Sequence, residues 1–385
     1  MEATGIICEY NPLHLGHKKQ LDAVRAAYPD GGIVCLMSGN YVQRGAPAIV
    51  DKSLRAQAAI LCGADLVLEL PLTASLSSAE GFAREGVRIL GGFCNRLCFG
   101  AESANAETLL ATAKTLRSTD FSESLQAELD KGLSFPAARQ AALRNMDLDA
   151  SILTQPNDIL AVEYCKAILE LGVPMEPMVI RRGGGYHDTA IDCANPSATA
   201  LREQMVSGGD WLSYVPETAK SALAGGTIHM LPAGEQAILY RLRTMTDEEF
   251  EALPYGSEGL WRKLMTNARK YATLEEILTA TKSKRYTRTR LDRMVMCAFL
   301  GITRQQVNAP APYTRVLAFN DTGRLLLRSA RQAGQFPNIG ETVDSPYQAL
   351  EHRADILYSL FSSERQEPPY QKDKRRVFYH KGDYK

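Results

Sequence analysis

Three short, almost uninterrupted apolar runs fall within the first 70 residues: Thr4-Gly5-Ile6-Ile7-Cys8-Glu9, Gly32-Ile33-Val34-Cys35-Leu36-Met37 and Asp65-Leu66-Val67-Leu68-Glu69-Leu70. Each is followed by a stretch with helical character, from about His14 to Ala27, Asp51 to Cys62 and Ser77 to Leu90. A strand that is apolar on both faces has to be covered on both faces. Alternation with helices achieves this by layering them on either side of a parallel sheet. The expected fold class is therefore α/β. In such sheets ligands bind beyond the carboxyl ends of the strands, so the loops after these runs are the first place to look for chemistry.

Further along, residues 105–171 read as mostly helical. Pro156-Asn157-Asp158 marks a helix start, and the run it opens ends near Gly172. Met178-Val179-Ile180 is a short strand, and Asn195-Pro196 opens a helix reaching about Val206. The segment 208–234 is rich in Gly, Ala and Pro and reads as a linker between an α/β domain, 1–207, and a mainly helical C-terminal domain, 235–365. Within the latter, Val316-Leu317-Ala318-Phe319 is strand-like and a helix covers about Ala349 to Phe361. Residues 366–385 form a charged tail, expected to be mobile.

The charge balance narrows the partners. With 44 Lys+Arg against 44 Asp+Glu in 385 residues, nucleic acid can be bound only through a local patch. No apolar run approaches the roughly 18 residues that span a bilayer. The opening Met1-Glu2-Ala3-Thr4 lacks the basic start of an export signal, so a cytoplasmic protein with no membrane association is expected. The eight cysteines lie in apolar surroundings and read as buried, reduced thiols. Cys94 and Cys98 have no second pair or flanking His, so no protein-held metal site is expected.

The sharpest chemical signal is Glu9-Tyr10-Asn11-Pro12-Leu13-His14-Leu15-Gly16-His17, a His-x-Gly-His directly after the first strand. Three residues apart, His14 and His17 face one side of a first helical turn. That turn carries unpaired N–H groups and the positive end of the helix dipole, which favour an anion. Gly16 would let a phosphate approach, and two imidazole donors can stabilise charge gathering on a reacting phosphorus. Far downstream, Pro196-Ser197-Ala198-Thr199-Ala200-Leu201-Arg202 places two hydroxyls and a guanidinium at another helix start, where they suit phosphate oxygens.

Together the His-x-Gly-His and Ser-x-Thr-x-x-Arg motifs resemble the HxGH nucleotidyltransferase-like superfamily. Met37-Ser38-Gly39-Asn40-Tyr41-Val42-Gln43-Arg44-Gly45, Gly63-Ala64-Asp65-Leu66-Val67-Leu68-Glu69-Leu70-Pro71, Phe99-Gly100-Ala101-Glu102, Pro156-Asn157-Asp158-Ile159-Leu160, Gly185-Tyr186-His187-Asp188 and Lys284-Arg285-Tyr286-Thr287-Arg288 then follow in order. The set is similar to the tRNA(Met) cytidine acetate ligase family, closely to about residue 300 and more loosely to about 360.

The resemblance implies a nucleotidyltransferase-like Rossmann-type domain joined to a helical tRNA-binding region. It further implies that acetate and ATP, with Mg²⁺, form acetyl-adenylate. The acetyl group would pass to N4 of the wobble cytidine C34 of elongator tRNA(Met), giving N4-acetylcytidine. His14 and His17 would be catalytic. ATP would be bound by Ile7, Cys8, Glu9, Tyr10, Asn11, Pro12, Leu13, His14, Leu15, Gly16, His17, Lys18, Lys19 and Gln20. Gly100, Asn157, Ser197, Thr199, Arg202 and an arginine at 181 or 182 would join them. The double Arg181-Arg182 leaves two registers open, and proximity to Gly-Tyr-His-Asp favours Arg182. Leu15 departs from the family pattern but should point away from the phosphates.

Acetate has to approach an anionic triphosphate, so a cation such as Lys18, Arg44, Lys52 or Arg182 would lower the repulsion. For the tRNA, Lys282, Lys284, Arg285, Tyr286, Arg288 and Arg290 lead into a helix. Positive charge at a helix start opposes the dipole unless an anion is supplied, and a phosphate backbone would supply it. Rival readings are another nucleotidyltransferase of the superfamily, acting on a small phosphorylated acceptor, and a catalytically silent RNA-binding protein on the same fold. A class I aminoacyl-tRNA synthetase would need a Lys-rich second signature whose surroundings Lys282-Ser283-Lys284 does not match.

Overall fold

The computed structural model describes residues 1–102, 105–181, 197–283, 285–333, 346–369 and 377–381. The three apolar runs become β1 (Ala3–Cys8), β2 (Gly32–Ser38) and β5 (Leu66–Leu70). All residues of β2 and β5 are buried, as strands covered on both faces require.

The intervening helices are α1 (Leu15–Ala27) and α2 (Lys52–Leu61), with a small hairpin, β3 (Tyr41–Val42) and β4 (Ala46–Pro47), inserted after β2. After β5 a short helix, α3 (Leu72–Ser75), precedes the expected one, which is α4 (Ala79–Leu90), capped by Ser78. Next come β6 (Arg96–Ala101), α5 (Ala106–Thr115), α6 (Thr119–Asp130), α7 (Phe135–Arg144), α8 (Pro156–Leu171) and β7 (Glu176–Arg181). Pro156 stands in the first turn of α8, and Gly172 ends it in the left-handed region at φ 61°.

The sheet runs β7-β6-β1-β2-β5 in parallel. The chain leaves β1 toward β2 and β5, then crosses back to lay β6 and β7 on the other flank. The order therefore reverses between β1 and β6, where an open α/β sheet has its crevice.

The segment expected to be a linker is folded. After α9 (Ala198–Ser207), α10 (Glu217–Ala224) packs against α2, burying Ala219 and Leu223 in the same core as Val50 and Ala58. The helical half follows as α11 (Glu235–Thr244), α12 (Asp247–Glu251), α13 (Leu260–Ala268), α14 (Leu274–Thr281), α15 (Arg288–Leu300) and α16 (Arg304–Asn308). The strand-like run near 316 is β8 (Arg315–Asn320), which joins the N-terminal sheet antiparallel to β5. It is followed by α17 (Asp321–Ala333) and α18 (Pro346–Tyr358). The tail also differs from expectation: β9 (Phe378–His380) pairs with β8 as the sheet's seventh strand.

Of the seven cysteines among the described residues, six are buried and none is in a disulfide. Burial pushes the Cys98, Cys165 and Cys297 thiols up to about 12, keeping them protonated at neutral pH. Among the described residues no helix is long and apolar enough to cross a membrane.

Candidate active site

The turn after β1 ends in a histidine pair that caps its own helix. His14 is the N-cap of α1, and its Nδ1 accepts from the Gly16 N–H at 3.1 Å. His17 Nδ1 accepts in return from the His14 N–H at 3.3 Å, a capping box built from two imidazoles. Both Nδ1 atoms act as acceptors, so in the neutral rings the hydrogen sits on Nε2. The rings lie 3.8 Å apart, with Tyr10 against His17 at 5.0 Å. His14 is only 2% exposed. Gly16 has a more immediate duty than admitting phosphate: a Cβ there would stand 2.9 Å from His14 Cε1.

The turn itself is fixed by side chains that sequence spacing did not point to. Arg55, wholly buried on α2, donates through Nε to the Val50 carbonyl oxygen at 2.8 Å. Its Nη1 reaches the Glu9 carbonyl oxygen at 2.6 Å and that of Ser38 at 3.1 Å, and its Nη2 reaches that of Gly39. One guanidinium thus ties together the carboxyl ends of β1 and β2. The only trace in the sequence is an arginine amid the alanines of a buried helix. Asn11 Oδ1 accepts from the Ile49 N–H at 2.7 Å, and Glu9 Oε1 from the Gln43 N–H at 2.9 Å, so Glu9 fastens the β3–β4 hairpin to the turn. The peptide bond Asn11-Pro12 is cis. Tyr10 and Leu13 are core residues, 1% and 0% exposed, and offer a ligand backbone groups only.

The downstream motif docks onto this turn. Arg202 of α9 donates through Nη1 to the Asn11 carbonyl oxygen at 2.9 Å and through Nη2 to Thr199 Oγ1 at 3.0 Å. Ser197 is the N-cap of α9, its Oγ accepting from the Ala200 N–H at 3.1 Å. Two motifs far apart in sequence therefore meet, with the Arg202 fork holding a backbone carbonyl and the Thr199 hydroxyl, where the sequence suggested phosphate.

Two further motifs meet at the neighbouring strand. Glu102, just past β6, accepts at Oε2 from the Asp158 N–H at 2.9 Å and at Oε1 from the Asn157 side-chain amide. Asp158 Oδ1 accepts from the Glu102 N–H at 2.9 Å. This reciprocal clamp fixes the start of α8 beside the end of β6. Gly100 lies in β6 opposite Ile180, and Arg181 ends β7 opposite Ala101. Arg182, His187 and Asp188 lie outside the described residues, as do Lys284 and the tail cations Lys372, Lys374, Arg375 and Arg376.

The candidate cations sort differently from the sequence expectation. Lys52 is 1% exposed and pairs with Glu69 at 2.6 Å and Asp355 at 2.9 Å, inside a network that Arg315 joins through Glu69 at 2.9 Å. It cannot also serve a ligand beyond β1. Lys18 pairs with Asp22 one turn on. Gln20 donates to Cys98 Sγ at 3.6 Å, and Lys19 lies exposed on α1.

The basic segment before α15 also carries its own anions. Arg285 pairs with Glu258 at 2.8 Å, and Tyr286 donates to the same carboxylate. Arg288 forks onto Glu275 at 2.7 and 2.8 Å and reaches Asp292 at 2.8 Å. Arg290 donates to the Tyr255 carbonyl oxygen. The anion that the sequence argument reserved for RNA is thus supplied in large part by the fold. Yet α15 does adjoin the site: Arg293 Nη1 reaches the Gln43 carbonyl oxygen at 3.4 Å, and a Cβ on Gly45 would strike the Arg293 backbone.

The family model described as HIGH Nucleotidyl Transferase matches residues 1–373. The tRNA(Met) cytidine acetate ligase of Clostridium novyi is 37% identical over 362 residues, 88% of this chain and 89% of that protein. The protein of the same name from Clostridium acetobutylicum is 34% identical over 387 residues, 94% and 96% of the two chains. The crystal structure of Thermotoga maritima TmcAL in its apo form superposes with a TM-score of 0.89 at 28% identity, covering 99% of this chain and all of that one. The same protein bound with alpha-thio ATP gives 0.87. With its histidine-capped turn and the docked α9, the chain belongs to the HIGH nucleotidyl transferase family and, within it, to the tRNA(Met) cytidine acetate ligases.

Proposed function

We propose that the crevice above β1 and β6 binds ATP and acetate, and that the chain acetylates N4 of the wobble cytidine C34 of elongator tRNA(Met). The observation that carries this reading is the Arg202 bridge to Asn11, which brings the two phosphate-suited helix starts to one place. The name and ATP-analogue complex of the relatives support it. We assign ATP and acetate to residues 1–207 and RNA to the helices of 235–365, with Lys282, Lys284, Arg285, Tyr286, Arg288 and Arg290 on the RNA side.

In the first step a carboxylate oxygen of acetate attacks the α-phosphorus. The bond from that phosphorus to the bridging oxygen breaks, and diphosphate leaves. Charge builds on the phosphate oxygens, and the Nε2–H groups of His14 and His17 are the donors to meet it. Arg202 acts through Asn11, holding the turn in shape. In the second step the cytidine N4 attacks the acetyl carbonyl carbon. AMP departs with the electron pair of the broken C–O bond, and the amine loses a proton. That amine is a weak nucleophile, its lone pair delocalised into the ring, which is why acetate has to be activated first.

No group of three or more His, Cys, Asp or Glu among the described residues could hold a metal ion. Magnesium would therefore enter on the triphosphate, as it commonly does, and no residue here is assigned to it. Use of ATP and tRNA fits a protein of the cytoplasm.

The test is incubation with ATP and labelled acetate, with and without elongator tRNA(Met), followed by mass spectrometry of the nucleosides. N4-acetylcytidine is the expected product. Diphosphate release that requires a different acid or nucleotide would move the assignment to another nucleotidyltransferase, and absence of ATP turnover would move it to a binding protein.

A further inference from the structure

The helix α13 buries Leu264 and Ala268 against its neighbours and turns an exposed face that carries basic residues and no acid outward. Residues 260–271 hold Arg262, Lys263, Arg269 and Lys270 and no carboxylate, in a chain whose net charge is zero. Helical spacing puts Arg262, Thr266 and the C-cap Arg269 opposite the buried side, with Lys263 on the flank and Lys270 just past the helix end. Only Arg269 meets an acid, Asp247 at 2.8 Å. Among the described residues Arg262, Lys263 and Lys270 make no ion pair. Arg262 lies over the Trp261 ring at 4.9 Å, Lys270 near the Tyr271 ring at 5.0 Å, and Lys263 donates to the Lys282 carbonyl oxygen at 3.3 Å. This is the reverse of the basic segment leading into α15, where Arg285 and Arg288 are paired with acids.

Aromatic surface accompanies the charge. On α11, Arg243 donates to the carbonyl oxygens of Tyr271 and Ala272 at 3.1 Å, next to the end of α13. One turn before it, Tyr240 is 71% exposed, the highest value among the exposed large hydrophobic side chains. We propose that the outward face of α13, extended by Tyr240 and Arg243 of α11, is a contact surface for the phosphate backbone and unpaired bases of an RNA. This rests on the reading that the acetyl acceptor is a tRNA.

From Arg262 to Arg269, the C-cap, the face spans about 10 Å at 1.5 Å per residue. That matches roughly three nucleotides of one strand at about 3.4 Å each. Cations beside the half-buried rings of Trp261 and Tyr271, with the exposed Tyr240 one turn from Arg243, suit a surface that grips a backbone while bases stack. An acidic polypeptide would meet the same charges but has no bases for the rings. The surface is also connected to the chemistry. α13 packs on α14, α14 on α15, and Arg293 of α15 touches the hairpin that Glu9 fastens to the histidine turn.

The test uses the full chain with Arg262→Glu, Lys263→Glu and Lys270→Glu combined, and a milder triple variant with Gln at the same positions. Binding to elongator tRNA(Met) is measured across a salt series, together with tRNA-independent diphosphate release from ATP and acetate. The Glu variant should bind at least tenfold more weakly, and three lost phosphate contacts should reduce the slope of log affinity against log salt by about 2. The Gln variant should shift both in the same direction by less. Diphosphate release should be unchanged in both. Unaltered affinity and slope would overturn the proposal, as would lost affinity at an unchanged slope. If the unsubstituted chain bound no tRNA, the functional reading itself would fall.

Discussion

The imidazoles of His14 and His17 lie 3.8 Å apart, and each accepts through Nδ1 a backbone N–H of the turn they share. The pair does two jobs at once: it completes a helix start and leaves Nε2–H as the hydrogen each ring can offer. Substitution can separate the two. His14→Ala should cost about 0.5–2 kcal/mol as a lost cap. His14→Asn restores a cap but no Nε2–H, so it should recover most of that stability and none of the acetate-dependent diphosphate release. His17→Ala should abolish acetyl-adenylate formation while leaving tRNA affinity nearly unchanged. Thermal midpoints read beside ATP turnover would decide it, and an active His14→Asn would refute the donor role.

Arg202 is a positioning residue by the same geometry. Arg202→Ala leaves the Asn11 carbonyl and Thr199 Oγ1 without their shared partner, at a cost of about 1–3 kcal/mol. It should raise the KM for ATP and lower kcat for adenylation. Arg202→Lys, which can keep one contact, should recover part of the activity. A variant with normal kinetics and lowered stability alone would confine Arg202 to a structural duty.

The α/β order was legible because β1, β2 and β5 are buried on both faces and so carry no polar alternation. The strand β6 was not: it opens on the charged Arg96 soon after Gly91-Gly92, and its apolar run is only Leu97-Cys98-Phe99 before Gly100. Nor was β9, whose three residues lie in a charged tail and owe their pairing to β8. His14, His17 and Arg202 stood out by residue type and spacing. Arg55, Glu102 and Asp158 did not stand out as site-builders, because each acts through backbone groups of a distant element, and that is tertiary information. Lys52 shows the converse: a lysine near the β2 loop looks available to a ligand until Asp355, more than 300 residues on, reaches it.

Lys52 therefore serves as a control. Lys52→Met strips the cation from Glu69 and Asp355 inside a buried network, which should cost about 3–5 kcal/mol. A large fall in thermal midpoint is expected. Whatever fraction remains folded at low temperature should still bind ATP with near-normal affinity. Selective loss of ATP binding at full stability would return Lys52 to the active site.

A pH effect follows from His229, which is buried, stacked on Tyr358 at 3.9 Å and held by the Thr227 carbonyl oxygen at 3.0 Å. Burial lowers its pKa below the ordinary 6.5. Between that lowered value and 6.5 the unfolded chain binds the extra proton and the folded one does not. This contribution is complete above about pH 6.5 and falls away as pH drops through the window. Thermal midpoints should decline from pH 7.5 to 5.5, and less steeply in His229→Phe, which keeps a ring against Tyr358. Parallel curves for the two proteins would show that another group sets the slope.

Asn157 poses the remaining choice, because the same side chain that the family resemblance gives to the nucleotide here grips Glu102. The two uses are compatible if the carboxylate holds the amide in place for the ligand. Asn157→Ala should then raise the KM for ATP severalfold with a small stability loss. Asp158→Asn, which weakens the clamp from the other side, should lower stability more, since Asp158 is wholly buried and accepts the Glu102 N–H. A nucleotide contact and a clamp thus predict opposite rankings of the two variants in KM and in thermal midpoint. Should Asn157→Ala change the midpoint alone, the amide belongs to the scaffold, and the nucleotide is held from the β1 side of the crevice.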